Sequence, residues 1–240
     1  MNDMDVPADR VVAVIGGTSG IGAAAAERFL DAGAFVAVAG LDVDATPAGV
    51  AGRAKVTELD VTCGGAVEEF IMALPRLDVL VNAAGVIRRG AEYDPVVFAG
   101  VIEVNLLAAM RACIAARPLL ARSRGCVVNL ASMLSYFGGP RVPAYAASKG
   151  AVVQLTKSLA VAWAADGVRV NAVAPGWIRT ALTAGIREDE AAEQRILDRT
   201  PMGRWGEPAD VAGAVLFLAG PDAAFITGAV LPVDGGYLAG

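Results

Sequence analysis

An apolar, valine-rich run from Arg10 to Ile15 stops at Gly16-Gly17-Thr18-Ser19-Gly20-Ile21-Gly22, and residues Ala23 to Leu30 then carry a helical composition. Few features restrict a fold more. A buried strand that feeds a glycine turn and opens a helix commits the start of the chain to one topology. Glycines let the backbone come close to a bound group, and the helix N-terminus offers free N–H groups and the positive end of its dipole. Together they hold a pyrophosphate. Gly16, Thr18, Ser19, Gly20, Ile21 and Gly22 are the expected contacts of this turn.

The same alternation continues along the chain. Phe35 to Ala39, Val56 to Leu59, Leu77 to Val81, Cys126 to Leu130, Val168 to Val173 and Gly228 to Val233 read as further buried strands. Asp94 to Arg122 reads as one long helix, with Val97, Val101, Val104, Leu107, Ala108 and Ile114 spaced near the 3.6-residue period. Another helix runs to about Ala165, and a last one covers Ala209 to Ala219. Strands alternating with helices through right-handed crossovers predict a Rossmann-type, doubly wound α/β fold: a parallel sheet of about seven strands with helices on both faces. With 240 residues and 55% hydrophobic content, the chain suits a single domain over residues 1–240. Residues 181–207 break the rhythm, being polar and partly helical, and read as a substrate lid or as a plain surface insertion. The last strand, apolar to its end, predicts a sheet edge paired or packed in an oligomer.

The chemistry is concentrated between Ser132 and Lys149. Tyr145 and Lys149 stand four apart at the head of an Ala-rich helical run, which places a phenol beside an ammonium on one helical face. A nearby positive charge lowers a phenol's pKa from about 10 by roughly 1–3 units, towards a value useful for acid/base work. Ser132, just past the apolar run Cys126 to Leu130, is expected at a strand end with its hydroxyl facing the same point. Serine and tyrosine then hold one substrate oxygen between them.

Several classes are excluded or disfavoured. The chain has no histidine, which removes every triad that uses imidazole as base, so acid/base work falls to Tyr, Lys, Asp or Glu. Cys63, Cys113 and Cys126 lie far apart, with no Cys-x-x-Cys pair; no metal site is expected, and the cysteines read as buried hydrophobes in a reducing compartment. A net charge of -5 with three lysines argues against nucleic acid and anionic lipid as partners. No apolar run is expected to reach the ~20 residues of a membrane span, and the N-terminal residues are acidic where a signal peptide is basic. A cytoplasmic protein acting on a small molecule is the expectation.

Gly16-x-x-x-Gly20-Ile21-Gly22, Asn82-Ala83-Ala84-Gly85, Asn105, Ser132, Tyr145-x-x-x-Lys149 and Pro175-Gly176 occur in the order found in the short-chain dehydrogenase/reductase family. The resemblance covers almost the whole chain; Ile15 departs from it, since the family often has Thr there. It implies hydride transfer between a nicotinamide cofactor and a secondary alcohol or ketone. Tyr145 would move the proton and Ser132 would bond the same oxygen. Lys149 would lower the tyrosine pKa and bind the nicotinamide ribose, and Asn105 would hold a water linking Lys149 to solvent. It further implies contacts to the cofactor from Asn82, Ala83, Ala84, Gly85, Pro175 and Gly176, and from Ile178 and Thr180 to the carboxamide. Asp60-Val61 would meet the adenine, although Asp60 equally suits a cap for Thr62 onward. Past the second strand, Gly40-Leu41-Asp42 brings no arginine, and Asp42 can bond ribose hydroxyls and repel a 2'-phosphate. NAD is therefore favoured over NADP, with a solvated turn residue as the alternative for Asp42.

Segments such as Val86-Ile87-Arg88-Arg89, Arg141-Val142-Pro143 and Gly203-Arg204-Trp205-Gly206 are similar to those of sugar-acid dehydrogenases within the family. Arg88 and Arg141 suit a substrate carboxylate or ordinary surface ion pairs, and Trp177 and Trp205 are further substrate candidates. The rival activity is a 3-oxoacyl thioester reductase using NADPH. A homotetramer is implied by the resemblance.

Overall fold

A computed structural model describes residues 10–240. The acidic N-terminal residues lie outside that range. Seven parallel strands form one sheet: β1 (Val11–Ile15), β2 (Phe35–Gly40), β3 (Lys55–Glu58), β4 (Val79–Asn82), β5 (Cys126–Leu130), β6 (Arg169–Pro175) and β7 (Val230–Val233). Their spatial order is β3-β2-β1-β4-β5-β6-β7, so the chain reverses direction across the sheet between β1 and β4. Registers of Ile15 with Asn82 and of Asn82 with Asn129 bring the C-terminal ends of the central strands level. A crevice opens above such a reversal, and ligands of open α/β sheets bind there. The expected sheet and its edge strand β7 are both present.

Alternate strand residues feed two cores, as a period of two requires. Val12 and Val14 face helices α1 (Gly20–Asp31) and α8 (Pro208–Ala219) on one side. Ala13 and Ile15 face the layer that includes α2 (Ala66–Met72) on the other. Most strand limits move by a residue or two from expectation for local reasons. At β4 the Leu77 carbonyl accepts a bond from Ser123 Oγ and the Asp78 carboxylate accepts one from the Val11 N–H, so the strand begins at Val79.

The helix expected over Asp94 to Arg122 is three segments, α3 (Pro95–Ile102), a π-helical turn at Glu103–Leu107, and α4 (Ala108–Ser123). Asp94 caps α3 by accepting from Val96 and Val97 N–H. The wider turn places Asn105, 1% exposed, inward where an unbroken helix has no obligation to do so. By length and composition this 29-residue stretch, Pro95–Ser123, would suffice to cross a membrane, contrary to expectation. Its Ala- and Val-rich surface explains that, while Ala108, Ala112, Cys113, Ala116 and Leu120 are buried in the protein. Helix α5 (Pro143–Trp163) follows β5 and carries Tyr145 in its first turn and Lys149 one turn later. In the 181–207 segment lie α6 (Ala184–Arg187) and α7 (Glu190–Arg199). Its ends are joined by the pairing of Trp177 and Arg179 with Gly206.

Candidate active site

The cleft at the C-terminal ends of β1, β4, β5 and β6 encloses about 420 Å³, within the range of small-molecule sites. The glycine turn forms one wall. Gly16 (φ +79°) and Gly20 (φ +54°) adopt left-handed backbone, and a Cβ on Gly16 would lie 2.4 Å from the Ala84 nitrogen. At Gly22 the clash would be worse, 2.1 Å from the Gly16 carbonyl oxygen. No side chain can stand at Gly16 or Gly22 without moving backbone. Helix α1 starts at Gly20 with no side-chain cap from Ser19 and no acidic residue in its first turn, which leaves its N–H groups and positive end to an anionic ligand. Thr18, Ile21, Leu41, Asp42 and Val61 continue this wall, and Ala83, Ala84 and Gly85 close in from β4. The cradle fits a dinucleotide.

At the other end the reactive side chains meet. Ser132 begins a short helical turn after β5, and its Oγ accepts the Leu134 N–H at 3.1 Å. Ser135 holds this turn to α5 by donating to the Lys149 carbonyl at 2.8 Å. The Ser132 hydroxyl faces the Tyr145 phenol closely enough to oppose the rise in its pKa. Lys149, 4% exposed, donates from Nζ to the Leu130 carbonyl at 2.7 Å, and Nζ lies 5.7 Å from the centre of the Tyr145 ring. The three converge as expected.

Their electrostatics differ from the expectation. Burial pushes the Tyr145 phenol above its ordinary value; the Ser132 hydroxyl and the Arg89 charge oppose this without overcoming it, and the Glu92 charge adds to it. Burial also brings the Lys149 ammonium down from 10.5 to about 8. The inference that Lys149 lowers the tyrosine pKa is therefore corrected for the protein by itself. Both groups are withdrawn from water, and desolvation is the largest cause of each shift.

Asn105 lies beneath this point. Its Oδ1 accepts the Val86 N–H at 2.8 Å, and its Nδ2 donates to the Val86 carbonyl and to Ser148 Oγ, both at 3.0 Å. Ser148 in turn donates to the Tyr145 carbonyl at 2.7 Å. A Cβ on Gly85 would sit 3.5 Å from Asn105 Oδ1 and 3.7 Å from Lys149 Nζ, so the missing side chain keeps open the space between these two groups. Asn82 does not line the cleft. Its Nδ2 donates to Asn129 Oδ1 at 2.9 Å, and Asn129 donates to Thr156 at 2.9 Å, a buried chain that fixes β4, β5 and α5 to one another. Asp60 is likewise turned to its neighbour: its Oδ1 accepts both the N–H and the hydroxyl of Thr62, which holds its carboxyl below the usual range. It caps a turn, since α2 starts only at Ala66.

Pro175, Gly176, Trp177, Ile178 and Thr180 line the far wall, with Ala181, Leu182 and Thr183 from the following segment. Three substrate candidates are corrected. Arg88 and Arg141 are exposed and outside the cleft, because the loop that bears Arg88 turns at Glu92 and the Arg141 carbonyl ties down the Gly90 N–H. Trp205 is 2% exposed and lies beneath Trp177, ring centres 5.7 Å apart in an edge-on contact. Instead Arg89 enters the cleft, donating to the Leu182 carbonyl at 2.8 Å, with burial pulling its pKa down. Ser148 and Glu92 are further contributors that sequence reasoning missed. Glu92 is 0% exposed and holds Tyr145 and Arg88 by their N–H groups.

Residues 15–238 match the family model described as enoyl-(acyl carrier protein) reductase. A 2-dehydro-3-deoxy-D-gluconate 5-dehydrogenase of Bacillus subtilis is 46% identical over 68% of this chain and 65% of its own length. The enzyme of that name from Pseudoalteromonas atlantica is 38% identical over 95% of this chain and 96% of its own. Galactitol 2-dehydrogenase (L-tagatose-forming) of Cereibacter sphaeroides is 41% identical over 94% of this chain and 93% of its own. A crystal structure from Agrobacterium tumefaciens superposes with a TM-score of 0.92 at 40% identity, covering 100% of both chains. That protein is proposed to be a 2-deoxy-D-gluconate 3-dehydrogenase, and it has NADP bound. With the glycine cradle, the Ser132, Tyr145 and Lys149 constellation and matches across nearly its full length, the chain belongs to the short-chain dehydrogenase/reductase family.

Proposed function

We propose that this enzyme interconverts a secondary alcohol and a ketone on a sugar acid, with polyols as poorer substrates. The observation that carries this is the convergence of Ser132, Tyr145 and Lys149 on a cleft whose opposite wall is the glycine cradle. A bound nicotinamide supplies or accepts the hydride. Tyr145 takes the substrate hydroxyl proton in oxidation and returns it in reduction, and Ser132 donates a hydrogen bond to the same oxygen. Lys149, held by the Leu130 carbonyl, places positive charge beside the phenolate as it forms, and donors fixed in advance stabilise that charge without reorganising. Asn105, joined to Tyr145 through Ser148, borders the space beside Lys149 that Gly85 leaves open, from which a water can relay the proton.

Arg89 supplies the acid specificity. One nitrogen holds Leu182, and its other N–H groups remain for a carboxylate, which a guanidinium binds bidentately. The names of the relatives on both sides of this choice, sugar acid and polyol, agree with a ligand of this size and polarity. Thioester reduction is disfavoured, since Arg89 is turned inward and Arg88 alone is no docking patch for an acidic carrier.

For the cofactor we infer NAD. Asp42 is exposed at the adenosine end of the cleft, whereas the basic cleft residues, Arg89 and Lys149, lie at the catalytic end. Position 40 cannot carry an acid in its place, as a Cβ there would meet Thr18 Oγ1 at 2.3 Å. The NADP held by the Agrobacterium tumefaciens relative makes this a direct choice to measure. Exposed Val96, Leu107, Met110 and Ile114 on the Pro95–Ser123 stretch support the inferred homotetramer, and light scattering reads its mass.

The deciding assay is turnover of 2-dehydro-3-deoxy-D-gluconate and galactitol with oxidised NAD and NADP, and of a 3-oxoacyl thioester with reduced NADH and NADPH. The reading requires the acid with NAD to give the highest kcat/KM. Tyr145→Phe is expected to lower kcat by at least ~10²-fold while cofactor affinity stays within about twofold. Undiminished turnover in that variant rules Tyr145 out as the proton carrier.

A further inference from the structure

Glu92 lies on the loop after β4, outside every motif that identifies the family, and it is 0% exposed. A carboxylate withdrawn from water persists only when its oxygens are hydrogen-bonded. Here Oε1 accepts the Arg88 N–H and Oε2 accepts the Tyr145 N–H, each at 2.8 Å, across 53 residues of sequence in the second case. Tyr145 is the third residue of α5, whose cap residue Val142 has no side chain able to accept a bond. Glu92 therefore does for α5 what an N-terminal cap does, but from another loop. Two further bonds sew the same segments together: Gly90 N–H to the Arg141 carbonyl at 2.8 Å, and the Tyr93 hydroxyl to the Pro140 carbonyl at 2.9 Å. Between Arg88 and Glu92 the loop carries Arg89 into the cleft.

We infer that Glu92 is a positioning residue that holds the proton-carrying Tyr145 and the carboxylate-binding Arg89 at a set separation, and so decides which carbon of an acid substrate meets the phenol. This rests on the roles given to Tyr145 and Arg89 above. A carboxylate reaching both N–H groups acts as a rigid brace between helix and loop. Glu92 also acts on Tyr145 as a negative charge, against the Arg89 charge and the Ser132 hydroxyl, with Lys149 5.7 Å from the ring and Arg141 as the remaining charge near Arg89. Its removal makes the phenol easier to ionise.

The test is Glu92→Gln and Glu92→Asp, each checked by thermal melt and by cofactor affinity. In Glu92→Gln the amide NH2 faces one of the two N–H donors, so the brace is broken. The expected result is a kcat lower by about tenfold to a hundredfold, since a displacement near 1 Å costs that much. The KM for 2-dehydro-3-deoxy-D-gluconate should rise at least fivefold, that for galactitol should change less than twofold, and cofactor affinity should stay within twofold. The alkaline-rising limb of kcat/KM for oxidation should move to lower pH in Glu92→Gln and stay in place in Glu92→Asp, which keeps the charge. If Glu92→Gln does not fold, Glu92→Asp carries the test: its shorter side chain reaches one N–H only, and the same KM contrast is expected. Kinetics within twofold of the parent and an unmoved limb in the folded variant overturn the proposal. Should Tyr145→Phe stay active, the proton-carrier reading fails; should it be inactive while Glu92 variants behave as the parent, only the brace fails.

Discussion

Replacing Lys149 by Met should make the cofactor-free protein more stable at neutral pH and less stable in alkali. Lys149 is 4% exposed, and among the described residues its ammonium has one hydrogen bond, to the Leu130 carbonyl. Bringing it from 10.5 down to about 8 corresponds to about 3 kcal/mol of destabilisation while the group is charged. The folded value lies below the unfolded one, so between about pH 8 and 10.5 the unfolded chain binds more protons and stability rises with pH. Below that window the full penalty applies; above it the penalty is gone. Methionine removes the penalty at every pH but leaves the Leu130 carbonyl without its donor, at a cost of about 1–3 kcal/mol. The variant should then be up to about 2 kcal/mol more stable than the parent at pH 7, and about 1–3 kcal/mol less stable at pH 10.5. Urea unfolding of both proteins across this range reads the difference, and groups common to both cancel. A stability difference that stays flat with pH would refute the reasoning, because it would mean the ammonium is solvated in the folded protein.

Further outcomes follow from the same geometry. In the reduction direction Tyr145 needs its proton and Lys149 its charge; the phenol is held above its ordinary value, so kcat/KM should fall as pH rises through about 8, where Lys149 loses its proton, in a pH–rate profile. Gly22→Ala, with its Cβ 2.1 Å from the Gly16 carbonyl, should weaken cofactor binding at least ~10-fold by calorimetry. Arg89→Met should raise KM for the acid substrate about 10–100-fold and leave galactitol nearly unaffected, the loss expected of one charged hydrogen-bonding group. Asp42→Ala should lower the NAD to NADP ratio of kcat/KM by about tenfold or more, each 1.4 kcal/mol of lost discrimination being a factor of ten.

Buried parallel strands read as unbroken apolar runs, which is why β1, β2 and β5 were plain from composition, and glycine spacing located the cradle because the steric demand at Gly16 and Gly22 admits nothing else. The pairing of Tyr145 with Lys149 followed from helical periodicity. Periodicity carries no information about loops. Arg88 and Arg89 are adjacent and chemically alike, and only the turn closed by Glu92 decides which one enters the cleft. Glu92 itself stands between Ala91 and Tyr93 with no local signal, since its partners are 4 and 53 residues away. The direction of the Tyr145 shift was equally hidden: charge proximity can be inferred from spacing, but the desolvation that is its largest cause depends on how the whole cleft packs. The π-helical turn that points Asn105 inward has no sequence mark comparable to a proline or glycine.

Crystals of the protein grown with oxidised cofactor and 2-dehydro-3-deoxy-D-gluconate would expose the central claim to view. The account predicts the substrate's reacting hydroxyl oxygen within hydrogen-bonding distance of both the Ser132 hydroxyl and the Tyr145 phenol, its carboxylate on Arg89, and the pyrophosphate at the N-terminus of α1. A substrate bound with every hydroxyl turned away from Tyr145, or a dinucleotide lying elsewhere than the glycine cradle, would contradict it.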